Sequence, residues 1–313
     1  MACIGCSPVC NTEMEPKLIC LLPTHQIKCS DSPFPPLSQL EKEQAWGREL
    51  LIADVFARDC DFYRAITAYR RAHVLLSASS FKEFDKSQKN RLLQIDYAIL
   101  LCYYLGGKYQ EAVNVFEASE LSQSHPDFFA FSHLLMIVYD CYLQTNQEEK
   151  AETVLCIIRK FSPETAEDLS LYQSFHDGED EEVRLLIEQH RSFDSMQRDF
   201  AFYEQFKKSP QKARLLNALL PGAGYYYVGQ RRSAITSFLI NTLFTAAAYQ
   251  FFRNGYSAAG VITASLEAGW YFGGINGAGI EAKEFNTRLF EGVGRKILFD
   301  NRCFPVLMFE TSF

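Results

Sequence analysis

The chain has 313 residues, 48% of them hydrophobic and 22% charged, with a formal net charge of -7. That length exceeds what one compact core usually holds, so two domains and a tail are expected. The acidic balance, with no cluster of Lys and Arg, excludes a nucleic-acid surface, which depends on basic groups displacing counterions from phosphates.

Residues 1–38 contain Cys3, Cys6, Cys10, Cys20 and Cys29 among six prolines. No period of 2 or 3.6 survives that much proline, so a disordered leader is expected. "CIGCSPVC" offers one cysteine knuckle followed by irregular gaps, whereas zinc sites want two pairs at defined spacing; no metal is assigned. "CIGC" also resembles the end of a bacterial lipobox at Cys6, but only five residues precede it.

Residues 39–200 read as paired helices. "ADVFARDCDFYRAITAYRRA" sets Ala53, Phe56, Ala65, Tyr69 and Ala72 around a break at Cys60-Asp61. "LLCYYLGGKYQEAVNVFEAS" repeats the pattern with Tyr103, Gly107, Tyr109, Ala112 and Phe116, and a third copy runs through Tyr142, Asn146, Ala151, Leu155 and Ile158 to Pro163. A weaker fourth copy carries Gly178, Val183 and Ile187. A small residue lets the helices of a pair approach, and the aromatic residues fill the gap to the next pair.

These offsets resemble the tetratricopeptide (TPR) repeat, which implies an all-α solenoid with a concave surface for a protein or peptide partner. The chain departs from that pattern in Cys60 at the glycine position and in Ser119 at the last alanine. The turn residues Cys60, Gly107, Asn146 and Gly178 stand 47, 39 and 32 residues apart, where the family keeps about 34. The plain alternative is a helical bundle without a groove. Tyr63, Tyr103 and Tyr142 are candidates to face a groove, with no single partner-binding residue assigned.

From residue 201 the composition changes. Residues 215–280 carry only Arg231, Arg232, Arg253 and Glu267 as charges. "LLPGAGYYYVGQ" is not a phosphate loop, because Gln230 and Arg231 follow Gly229 where Lys and Ser or Thr are needed, and no GxGxxG is present. No nucleotide or other cofactor is therefore expected. "SAITSFLINTLFTAAAYQFF", residues 233–252, is uncharged and long enough to cross about 30 Å of hydrocarbon. A second, weaker span is expected over 256–275. Small residues recur there every four positions, Gly260, Ala264 and Ala268, then Gly269, Gly273 and Gly277, which in lipid lets two helices pack closely as a hairpin. Glu267 is the one charge in that span and a possible intramembrane polar site, with Asn241 and tyrosine hydroxyls as candidate partners. Pro221, Gly222, Gly224, Tyr227 and Gly229 form the turn at which the chain enters the membrane, and Tyr225, Tyr226, Tyr227, Trp270 and Tyr271 would supply an aromatic belt.

Residues 210–290 also resemble a bacterial module in which an "LPGxGxxYxG" turn opens a pair of membrane helices ending in a "WYxGNIYGAxxxAxxYN"-like signature. The matching positions are Leu220 to Gly224, Tyr227 and Gly229, then Trp270-Tyr271, Gly273 to Ala278, Ala282 and Phe285-Asn286. Gly274 and Asn276 depart from it. The resemblance implies a TPR-bearing bacterial membrane protein and supplies no reaction.

Lys207, Lys208, Lys212, Arg214, Arg231 and Arg232 precede the first span, and Lys283, Arg288, Arg295 and Lys296 follow the second. Both termini are thus expected in the cytoplasm, the protein being multi-pass in the bacterial inner membrane. Residues 291–313 form an apolar tail. The expected architecture is an all-α TPR-like helical-hairpin solenoid followed by a transmembrane α-helical hairpin (201–290). The expected function is a membrane-anchored adaptor without catalysis. The alternatives are a membrane-embedded enzyme or transport component using Glu267, and a soluble all-α interaction protein.

Overall fold

The computed structural model describes residues 32–78, 86–308 and 313. Among them every regular element is helical and no strand occurs. The sequence expectations for residues 1–31, leader cysteines included, lie outside the described residues. Contacts divide the chain into two compact units, Met1–Asp177 with Leu298–Phe313, and Gly178–Ile297.

The first unit contains α1 (Gln39–Glu43), α2 (Ala45–Arg58), α3 (Phe62–Ala78), α4 (Lys86–Leu105), α5 (Tyr109–Ala118), α6 (Phe131–Gln144), α7 (Glu148–Phe161) and α8 (Pro163–Asp177). Each helix packs chiefly on its neighbours in the chain. One backbone device closes three of the pairs. Cys60, Gly107 and Asn146 have φ of 61°, 68° and 56°, in the left-handed region. In each case that residue's amide donates to the carbonyl three back, and the next amide reaches five back: Asp61 to Phe56 at 2.9 Å, Lys108 to Tyr103 at 2.8 Å and Gln147 to Tyr142 at 2.9 Å. These bonds satisfy carbonyls left open at a helix end. Five residues after each turn stands a buried alanine, Ala65, Ala112 or Ala151, where the next helix meets its partner. Gly178 has φ of 78°, the same local conformation, at the edge of the second unit. Pro163 opens α8 and so serves as the start of the following helix.

Residues 298–308, beyond the second unit, are folded. Residues 298–300 complete a long helix, and α15 (Pro305–Met308) packs on α6. Phe304 lies edge-on to Tyr172 at 5.8 Å, and Arg58 donates to the Phe313 carbonyl at 2.8 Å. At the other end, Phe34 sits edge-on to Tyr97 at 5.5 Å and Arg91 donates to the Pro35 carbonyl at 2.8 Å, which fixes the approach to α1.

The second unit contains α9 (Asp180–Gln189), α10 (Phe193–Phe206), α11 (Pro210–Leu219), α12 (Ala223–Val228), α13 (Arg231–Arg253) and α14 (Ser257–Asp300). Tyr203 of α10 donates to Asp180 at 3.2 Å and lies edge-on to Phe290 of α14 at 5.2 Å. Among the described residues α13 is the one helix long and apolar enough to cross a membrane. The stretch expected as a second span, 256–275, is no separate helix: it is the first part of the 44-residue α14, which runs on unbroken into the charged segment.

Candidate functional site

Two regions carry side-chain arrangements that bear on function, one in each unit. In the first unit a groove of about 1,100 Å³ opens between α3 and the turn joining α4 to α5. It brings together Tyr63 and Tyr103, as the repeat pattern suggests, with Arg70 and Val74 beside them. Tyr63 is 84% exposed, and Arg70 donates to the Tyr103 hydroxyl at 2.9 Å. Tyr142 lies elsewhere, against a smaller cavity of about 290 Å³. Its hydroxyl donates to Glu117 at 3.2 Å, and Lys150 sits over its ring and donates to Glu117 at 2.7 Å. The Lys150 bond holds the Glu117 carboxyl below the usual carboxylate range.

The first unit also contains a polar hub that the repeat pattern does not reveal. Asp140 is buried and accepts from Tyr104 at 2.7 Å, Tyr172 at 2.9 Å and Gln144 at 3.3 Å. One carboxylate thus ties α4, α6 and α8. Its signal in the sequence is a single acid inside the apolar run Leu134–Leu143. Burial raises its pKa, against the hydrogen bonds that favour its charged form.

In the second unit the "LPGAG" turn and the C-terminal signature fold onto each other. α11 ends at Leu219, and Gly222 follows with φ of 91°, its amide donating to Asn217 Oδ1 at 2.9 Å. A Cβ at Gly222 would fall 2.3 Å from the Ala234 carbonyl of α13. At Gly224 a Cβ would fall 2.3 Å from the Ala213 carbonyl and 2.7 Å from the Ala278 methyl. Three helices therefore meet at bare backbone, and Ala213, Val228, Ala278 and Ala282 close the small core there. Pro221 lies in the turn itself, Tyr227 accepts from the Ser209 amide at 3.2 Å, and Gly229 caps α12 in the left-handed conformation.

The six small residues expected to pack the hairpin divide in two. Gly260 lies under the Phe252 ring, and a Cβ at Gly277 would meet the Tyr225 hydroxyl. Ala264 is half-buried and Ala268 exposed, while Gly269 and Gly273 face open space. Glu267 finds neither Asn241 nor a tyrosine. Thr245 of α13 donates to it at 3.5 Å, and its other oxygen is buried without a partner. The expected belt is also divided. The contacts Thr245–Glu267 and Ser237–Gly274 bracket Trp270, which places it at mid-length of α13, whereas Tyr271 donates to the Ala218 carbonyl at 2.5 Å.

Comparison with protein-family models, curated proteins and solved structures gives no match for this chain.

Proposed function

We propose that the chain is a membrane-anchored adaptor of TPR type. Its helical repeats present a groove to a protein or peptide segment, and its C-terminal helices α13 and α14 fix that groove at a bilayer. The observation that carries the reading is the surface of α13. Only Ala234, Asn241 and Ala248, at seven-residue spacing, are buried, while Ile235, Phe238, Leu239, Leu243, Tyr249, Phe251 and Phe252 are exposed. On α14, Val261, Ile262, Leu266, Trp270 and Phe272 add to the same apolar exposure. A soluble helix with so narrow a buried seam would show a charged face; between Arg232 and Arg253 this one exposes mainly apolar side chains, with Thr236, Thr242, Thr245 and Gln250 among them and no charge, which suits lipid.

The groove supports a binding role without catalysis. Tyr63, Arg70 and Tyr103 offer ring faces and guanidinium donors suited to apolar side chains and backbone carbonyls of a bound segment. Cytoplasmic termini follow from the flanking Lys and Arg residues.

Single cysteines placed in a background without native ones test the anchor. A cysteine at Leu243 should resist a water-soluble maleimide in intact membranes and react after detergent extraction, whereas one at Lys212 should react in both. Labelling of Leu243→Cys in intact membranes, or recovery of the chain in the soluble fraction, would overturn the reading in favour of a soluble helical protein.

A further inference from the structure

α13 and α14 meet at Phe252 and Gly260 and at Thr245 and Glu267, and beyond Asn241 they part, until Gln230 bonds Glu281 and Tyr225 of α12 meets Gly277. The gap is a cleft of about 830 Å³, within the roughly 300–1,000 Å³ range of small-ligand sites. Its α14 wall carries Leu266 and Trp270 around the bare backbone of Gly269 and Gly273, neither of which has any atom within 4 Å of an added Cβ, and Glu281, held by Gln230, closes the far end. Its α13 wall carries Arg232 at the mouth, then Thr236 and Ser237, then Asn241.

Asn241 is the informative member. It is 5% exposed, its Nδ2 donates to the Ser237 carbonyl at 2.7 Å, and its Oδ1 is buried without a partner. Leaving a buried amide oxygen without a donor costs the full loss of its hydration. The amide retains one acceptor and a second N–H, a pair that one hydroxyl satisfies by donating to the oxygen and accepting from the nitrogen. Nine residues, about 13.5 Å of helix, separate Asn241 from Arg232, and an arginine side chain shortens the distance its ligand must span. No ion pair engages Arg232 among the described residues.

We propose that this cleft binds a phospholipid with a free glycerol hydroxyl. The phosphate sits at Arg232, the glycerol lies along Thr236 and Ser237 with its hydroxyl on Asn241, and the acyl chain runs over the Gly269–Gly273 wall. Guanidinium and hydroxyl groups supply the donors that phosphate and ester oxygens need, and the exposed Leu266 and Trp270 at the rim keep the tail in hydrocarbon. The inference rests on the membrane reading of α13 and goes beyond it, since an adaptor needs only an anchor.

The test uses the full-length protein, purified in an uncharged maltoside detergent and examined by native mass spectrometry and thermal unfolding. Titration with 1-palmitoyl lysophosphatidylglycerol should give a one-to-one adduct and raise the unfolding temperature. Gly273→Leu, whose side chain enters open space in the cleft, should weaken the adduct at least tenfold while the unligated unfolding temperature is kept or raised. Arg232→Gln should weaken it, and Asn241→Leu should keep the fold while losing the preference for the free hydroxyl over the diacyl lipid of the same head. Equal adducts on wild type and Gly273→Leu, or no adduct on wild type, would overturn the proposal. Stabilisation by inorganic phosphate alone would overturn it too, making the ligand free phosphate and not a lipid. A chain that needs no detergent would instead defeat the membrane reading, whereas a membrane-integral chain without the adduct would defeat only the lipid site.

Discussion

Asn286 holds both backbone groups of Lys208: its Oδ1 accepts from the Lys208 amide at 2.7 Å and its Nδ2 donates to the Lys208 carbonyl at 2.8 Å. The last residue of the C-terminal signature thereby fixes the backbone two residues before α11, and Tyr227 of the glycine turn accepts from the next amide, Ser209. Asn286→Ala removes two part-buried hydrogen bonds and should cost about 2 kcal/mol, whereas Tyr227→Phe, which removes one acceptor, should cost about 1 kcal/mol. Thermal unfolding of the full chain in detergent checks both. If each is silent, the signature serves a purpose other than locking this turn.

The turn glycines should separate by what surrounds them. Gly224→Ala drives a methyl into the Ala213 carbonyl and the Ala278 methyl, and overpacking of that kind costs about 1–3 kcal/mol. Gly222→Ala adds left-handed strain to a clash with the Ala234 carbonyl and should be worse. Gly229→Asn meets open space and keeps a tolerated conformation, so its cost should stay below about 1 kcal/mol. Expression level and unfolding temperature should be lowest for Gly222→Ala, intermediate for Gly224→Ala and highest for Gly229→Asn.

How much of this was legible follows from the range of each interaction. The helix pairs were readable because their turns are local: a left-handed residue followed five positions later by a small buried one leaves a trace at Cys60, Gly107 and Asn146 even where the glycine is absent. The hairpin register was not. Gly260, Ala264, Ala268, Gly269, Gly273 and Gly277 look alike in sequence, and only the facing chain decides that Gly260 and Gly277 make contact while Gly269 and Gly273 line a gap. Asp140 and Asn286 show the same limit, because their partners lie 32–36 and 78 residues away. The continuation of α14 past 275 was also hidden, since a change from apolar to charged residues does not by itself mark a helix end.

Acid groups in the first unit set a pH dependence. Burial raises Asp54 from 3.8 to about 6, against the hydrogen bond from Tyr69 and the charge of Arg58. Burial likewise raises Asp96 to about 6, opposed by His73. A raised carboxyl pKa means that the folded state binds more protons, so the associated stability is complete below pH 3.8 and is lost as pH rises through about 6. Between pH 5 and 7.5 Asp54 alone should account for on the order of 1 kcal/mol. Asp54→Asn keeps an acceptor for Tyr69 and should flatten the profile in that window. A profile equally steep without Asp54 would assign the effect to other groups.

Glu267 separates the adaptor from a membrane-embedded enzyme or transporter. Its carboxyl has a single 3.5 Å contact with Thr245 and one oxygen without a partner, an arrangement that an amide can replace without a charge at membrane depth. Glu267→Gln should therefore leave insertion, unfolding temperature and partner capture unchanged or slightly improved. Loss of a cellular phenotype with folding and capture intact would favour the enzyme or transport reading.

The groove itself is best tested by position. Tyr63 is 84% exposed yet lines the groove of about 1,100 Å³, whereas Glu149 lies on the exposed first turn of α7 and lines none of the described cavities. A photo-crosslinking amino acid at Tyr63 should capture a discrete protein in native membranes, and the same group at Glu149 should not. Arg70→Glu should cut the Tyr63 yield several-fold, because it removes the guanidinium that bonds Tyr103 and reverses the charge beside the ring. Its fold should survive, since Arg70 is exposed and carries no buried contact. A discrete product of equal yield from Tyr63 and Glu149, insensitive to Arg70→Glu, would place the partner on another face of the repeats.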